Sequence, residues 1–286
     1  MVCFVIPRLN RIFATSIFKK NNEIMKKEML AWMLCCILCF VACTEGKKTE
    51  APEMGATETA VAEEEVVESN DTSAFVTLSD VVPDVILEIR YFGTYNFVGT
   101  RIDGYEEPTA LMTREAADSL KAVSDDVLEM GYRLKIYDAY RPQQAVDHFV
   151  RWSKDTKDTK MKEYFYPDLT KDVLFPRQYI CERSGHTRGS TVDLTLFDMQ
   201  TEKEVDMGGT FDWFGPESHP DFGGNPETGV YQPNAKLTAE QFTNRMILRQ
   251  AMLRHGFKSM PTEWWHFTLK NEPYPNTYFD FPVKQI

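Results

Sequence analysis

Residues 113–142 read T-R-E-A-A-D-S-L-K-A-V-S-D-D-V-L-E-M-G-Y-R-L-K-I-Y-D-A-Y-R-P, and they hold two different periodicities. Ala116, Leu120, Val123 and Val127 fall four and three residues apart, as on one face of a helix, and Gly131 supplies its stop. The period then shortens. Tyr132, Leu134 and Ile136 alternate with Arg133, Lys135 and Tyr137, the pattern of a half-buried strand. Pro142 suits the first turn of a second helix reaching about Lys154, with Val146, Phe149 and Val150 on one face.

Outward from this unit, V-I-L-E-I-R-Y at 85–91 reads as a strand. After Ser184 a glycine-punctuated loop leads into T-V-D-L-T-L-F at 191–197, with Val192, Leu194 and Leu196 on one side and Asp193, Thr195 and Phe197 on the other. Residues 207–237 are rich in glycine and proline and read as a long loop, the kind that forms a wall or lid of a site. Thr238-Ala239-Glu240-Gln241 is a capping-box pattern that opens a helix to His255, with Gly256 as its stop. A last strand centres on Glu263 to Leu269. Helices and strands mix without a regular βαβ alternation. The expected fold is therefore α+β: one domain over residues 75–286, with a small, mostly antiparallel sheet flanked by helices.

Charge divides the chain into three regions. The whole carries a formal net charge of −11, which argues against nucleic acid as a partner, since such affinity comes mostly from Lys and Arg on phosphate. Residues 1–43 are net positive and 44–72 strongly negative. Met25-Lys26-Lys27, a near-continuous apolar run from Met29 and the ending Phe40-Val41-Ala42-Cys43 describe an export signal over 25–43. The ending resembles a bacterial lipobox, with Cys43 as the lipidated residue. An uncleaved anchor is the alternative, for which the apolar run is short. Residues 1–24 lie upstream of the good start at Met25 and read as an extension preceding the true start. Residues 44–74 read as a disordered acidic tether. These readings place the protein outside the cytoplasm, lipid-anchored in the cell envelope at the periplasm or outer membrane. Of six cysteines only Cys181 lies beyond the proposed cut, and it reads as a small buried apolar residue.

Among the five histidines, His148, His219 and His255 carry no pattern that demands chemistry. His186 opens H-T-R-G-S-T-V-D, which places Asp193 on the polar side of an apolar strand, where a lone carboxylate needs a partner. His266 closes E-W-W-H, three residues after Glu263. Two imidazoles and a carboxylate form a common catalytic zinc set that leaves a fourth position for water, and Glu263 is a candidate to take that water's proton. Residues three apart on a regular strand face opposite ways, so a bulge or strand end must turn Glu263 or His266. Spacing alone equally allows two core histidines bonded to acids.

The two segments S-G-H-T-R-G-S-T-V-D-L-T-L and E-W-W-H-F together resemble the VanX-type D-alanyl-D-alanine dipeptidases, zinc enzymes of the wider D-Ala-D-Ala peptidase family. Y-D-A-Y-R-P at 137–142, Y-N-F-x-G at 95–99 and D-M-G-G-T-F-D at 206–212 extend the likeness over most of residues 75–270. The resemblance implies one Zn2+ per chain on the sheet, held by His186, Asp193 and His266. It implies Glu263 as the base and Arg141 as the cation that stabilises the oxyanion. Ser184 and Asp212 would hold the free amino group of a small dipeptide. Thr191 departs from the family's usual alanine. Two other readings remain: a zinc D,D-carboxypeptidase trimming peptidoglycan stem peptides, and a peptidoglycan-binding lipoprotein with structural zinc.

Overall fold

The computed structural model describes residues 65–234 and 236–286. The upstream extension, the export signal with Cys43, and the tether as far as residue 64 lie outside the described residues. The described chain contains β1 Val67–Ser69, β2 Phe75–Thr77, α1 Leu78–Val81, β3 Ile86–Leu87, β4 Leu111–Thr113, α2 Arg114–Glu129, β5 Tyr132–Asp138, α3 Gln143–Lys154 and α4 Lys162–Phe165. There follow β6 Thr191–Asp198, β7 Lys203–Glu204, β8 Gly224–Asn225, β9 Val230–Tyr231, α5 Ala239–Arg254, β10 Phe257–Ser259, β11 His266–Leu269 and β12 Thr277–Phe279. The architecture is α+β. Among the described residues, no helix is long and apolar enough to cross a membrane.

The main sheet runs β10-β11-β6-β5-β3, with β7 also paired to β6. Only β3–β5 is parallel; the other pairs of this sheet are antiparallel. Leu134, Ile136, Val192, Leu194, Leu196, Phe257 and Phe267 are fully buried and form its apolar face. Helices α2 and α5 cover that face, with Leu120, Val123, Val127, Leu248 and Met252 also fully buried. The opposite face carries Lys135, Thr195, Asp193, His266, Thr268 and Lys258. It is the face on which a site can stand.

Local chemistry sets the element ends. Gly131, at φ 88°, stops α2, and Thr238 and Gln241 form the expected capping box of α5. The 85–91 strand is shorter than its sequence suggests. Only Ile86–Leu87 pair as a strand, although Glu88 and Arg90 still donate backbone N–H to Ile136 and Tyr137 at 2.9 and 3.0 Å. At the N-terminal side, β1 lies inside the stretch read as tether and pairs in parallel with β12. The ordered fold thus starts before residue 75.

A bulge decides where the site forms. Along β5, Ile136 pairs with Leu194, but Asp138 rather than Tyr137 pairs with Asp193. The extra residue re-aims the strand end. Without it Asp138 would follow Ile136 onto the apolar face.

Candidate active site

Register brings three polar residues into one row. Asp138 on β5 pairs with Asp193 on β6, and Asp193 pairs with His266 on β11. His186 comes from a short 3-10 helix over Gly185–Arg188, capped by Ser184, whose Oγ accepts the His186 N–H at 3.3 Å. This helix closes on Gly189 at φ 81°, where a Cβ would lie 2.4 Å from the Phe75 ring, so the loop needs glycine there.

His186 Nδ1 donates to the Ala139 carbonyl at 2.6 Å. A carbonyl only accepts, so the proton is on Nδ1 and Nε2 of the neutral ring is free to bind a cation. That Nε2 lies 3.1 Å from Asp193 Oδ2 and 3.2 Å from His266 Nδ1. His266 Nδ1 in turn lies 3.1 Å from Asp193 Oδ1 and 3.2 Å from Glu263 Oε2. One donor atom each from His186, Asp193 and His266 lies within 4.8 Å of the others, the one such cluster of three or more among the described residues. Asp193 Oδ1 is buried, and its only close polar neighbour is that His266 nitrogen, at an angle too poor for a hydrogen bond. Converging lone pairs and a poorly satisfied carboxylate oxygen are what a bound divalent ion would satisfy, and the donor types suit zinc.

The electrostatics agree. Burial pushes the Asp193 carboxyl up, but His186 and His266 outweigh it and hold the group well below the usual carboxylate range. Burial likewise pushes His266 down, yet Asp193 and Glu263 lift it to about 9. The cluster favours a positive charge, whether a proton or a metal ion.

Glu263 does not lie on the strand. It stands in the turn ahead of β11, while His266 is the strand's first residue. The strand end removes the opposite-face problem. Arg141 lies three residues beyond the last residue of β5. Its Nε donates to Asp138 Oδ2 at 2.9 Å, an Nη lies 3.5 Å from Asp193, and the guanidinium stacks over Tyr91 at 4.8 Å. Asp138 Oδ1 accepts from Tyr105 Oη at 2.6 Å. Asp212 sits in the long loop at φ 61° and accepts the Tyr91 hydroxyl at 2.9 Å. Burial, and then the charge of Asp193, push its carboxyl well above the usual range. Asp193 and Asp212 thus titrate far apart. The loop that carries Asp212 is fixed by buried Arg245, which donates to the carbonyls of Met207 and Glu217 at 2.7 and 2.9 Å.

These groups border a cavity of about 330 Å³, whose walls include Tyr91, Arg141, Phe149, Ser184, Asp212 and Glu263. All seven residues singled out in the sequence border it. A second cleft, of about 440 Å³ beside Phe75, Arg114 and Ile286, has no cluster of metal-ligating side chains. Asp138, Tyr91 and Tyr105 were not anticipated. Asp138 lies inside the quoted Y-D-A-Y-R-P, but only the bulge shows that it faces the site. Cys181 is exposed at the cavity wall rather than buried, because it lies in the loop leading to Ser184. Thr191 is accommodated: it is fully buried and its Oγ1 lies 2.9 Å from Thr268 Oγ1.

A family model, Peptidase M15, described as D-ala-D-ala dipeptidase, matches residues 71–284. A D-alanyl-D-alanine dipeptidase of Streptomyces coelicolor is 37% identical over 212 residues, covering 74% of this chain and 99% of the relative. One from Enterococcus faecium is 36% identical over 210 residues, covering 73% and 98%. One from Escherichia coli is 32% identical over 201 residues, covering 70% and 86%.

Proposed function

Because the chain belongs to the D-Ala-D-Ala dipeptidase family of the M15 peptidases, we propose that it hydrolyses D-alanyl-D-alanine to two D-alanines with one zinc ion held by His186, Asp193 and His266. The observation that carries this is the meeting of the three donors with Glu263 and Arg141 on one cavity wall. Held by these three residues, a zinc ion would supply Lewis acidity and lower the pKa of a water toward neutral pH.

The chain's own groups do the rest. Glu263, its carboxylate beside His266, takes a proton from the attacking water and delivers it to the leaving amine. Arg141 meets the negative charge that develops on the carbonyl oxygen; Asp138 and Tyr91 hold the guanidinium in place beforehand. Asp212 receives the substrate's ammonium. An arriving cation favours the ionised carboxylate that burial disfavours, so the site is selective for a free amino group. Ser184 caps the His186 helix and borders the same cavity.

The sequence of residues 25–43 supports export and a lipid on Cys43. An enzyme outside the cytoplasm acts on dipeptides released from the wall, so its role is salvage. Mass spectrometry of the processed N-terminus tests the anchor.

The decisive assay uses the zinc-loaded protein and follows D-alanine release from D-Ala-D-Ala, L-Ala-L-Ala and N-acetyl-D-Ala-D-Ala. Turnover of the first alone is expected. Cleavage of the blocked substrate would instead point to the carboxypeptidase reading, and zinc binding without turnover of any of the three would point to the binding lipoprotein or to a different peptide substrate.

A further inference from the structure

We infer that Lys258 is the receptor for the substrate's terminal carboxylate and so fixes the length of peptide the site accepts. This rests on the dipeptidase reading above. A dipeptide zwitterion presents opposite charges at its two ends, and Asp212 answers only one of them.

The sheet register places the other. His266, Thr268 and Lys258 share the polar face: Thr268 is two residues beyond His266 on β11, and it pairs with Lys258 on β10. Thr191 pairs with Thr268 on the other side. The row Thr191-Thr268-Lys258 therefore runs beside the row Asp138-Asp193-His266, about 7 Å further along the strands. The intervening residues Val192 and Phe267 point to the buried side, with Ser259 paired to Phe267 on β10. Lys258 lies on the edge strand β10. Tyr91, the partner of Asp212, follows β3 at the opposite edge. Both border the one cavity, with the metal ligands between them. An ammonium at Asp212 and a carboxylate at Lys258 thus place the peptide bond across the row of ligands.

Competition among the cations at the cavity also favours Lys258. Arg141 is bound to Asp138. Arg188 is bound by both oxygens of Glu272 at 2.7 and 2.9 Å. Arg183 stacks on Tyr278 at 4.6 Å and lies 3.8 Å from Glu68. Lys258 is exposed and, among the described residues, has no carboxylate within ion-pair distance. A single mobile point charge suits a carboxylate that must leave with the product. That carboxylate keeps its charge throughout the reaction, so its receptor acts on KM and leaves kcat alone.

The test compares D-Ala-D-Ala with its C-terminal amide on the zinc-loaded full chain and on Lys258→Gln, Lys258→Arg and Arg183→Gln. Lys258→Gln should raise KM for the free acid about fivefold, the upper end for a solvent-facing pair, with kcat within about twofold. The amide's KM should not move, and Lys258→Arg should restore most of the affinity. An unchanged KM in Lys258→Gln, an equal rise for the amide, or a larger effect from Arg183→Gln would overturn the assignment. Absence of D-Ala-D-Ala turnover in the parent protein would instead sink the dipeptidase reading itself.

Discussion

The Nε2 of His186 lies 3.2 Å from the Nδ1 of His266, and the Nδ1 contact with the Ala139 carbonyl is what aims that Nε2 into the cluster. Two ring nitrogens this close, with the Asp193 carboxylate beside both, favour a positive charge between them.

That charge predicts a pH dependence for the metal-free protein. His266 is raised to about 9 by Asp193 and Glu263, against the opposing effect of burial. A folded value above the ordinary ~6.5 contributes stability fully present below about 6.5 and lost as pH rises through about 9. After chelation, Tm should therefore fall between pH 6.5 and 9.5, whereas the zinc-loaded protein should hold its Tm over that window. A flat metal-free profile would show that no proton occupies the cluster.

Glu263→Gln should retain one zinc per chain by elemental analysis, since Glu263 is not among the three converging donors. Its kcat should drop by about 10²–10⁴-fold, the usual range for a lost general base. Loss of zinc in this variant would make Glu263 a ligand instead.

Arg141→Lys keeps a charge but loses the fork that binds Asp138 through Nε while a second N–H reaches toward Asp193. We expect kcat to fall about 10²-fold or more with KM changed only a few-fold, as for removal of an oxyanion donor. An effect confined to KM would place Arg141 in ground-state binding.

Asp212→Asn is the mildest probe of the amino-group site, because asparagine tolerates the φ of 61° found there. The variant should lose most turnover of D-Ala-D-Ala. It should also discriminate less between the free and N-acetylated dipeptides, read as the ratio of their kcat/KM values. A ratio equal to the parent's would remove Asp212 from substrate recognition.

Much of this site is legible in the sequence. The helix before β5, the alternation within it and the capping box of α5 are local signals, and local signals survive folding. His186, Asp193, His266 and Glu263 stood out because polar residues bracketing apolar strands need partners. Asp138 did not. Its direction depends on one bulged residue, Tyr137, and a bulge leaves no mark on an alternating pattern until the partner strand is known. Lys258 was equally silent, as an ordinary exposed lysine whose meaning comes from standing one row from His266. The extent of the 85–91 strand was overestimated because its apolar residues pack beside β5 without full pairing.

The two loops that meet at the site are tied to each other in both directions. His186 Nδ1 donates to the Ala139 carbonyl, and the Arg141 N–H donates back to the His186 carbonyl at 3.3 Å. Whoever moves one loop moves the other. In transplanting this chemistry to a new scaffold, the β5 end and the 184–189 turn are one indivisible part. A graft of the three ligands alone would leave His186 free to swivel and Arg141 unanchored. The same reciprocity narrows evolutionary drift, since an insertion in either loop displaces a metal donor and the oxyanion cation together.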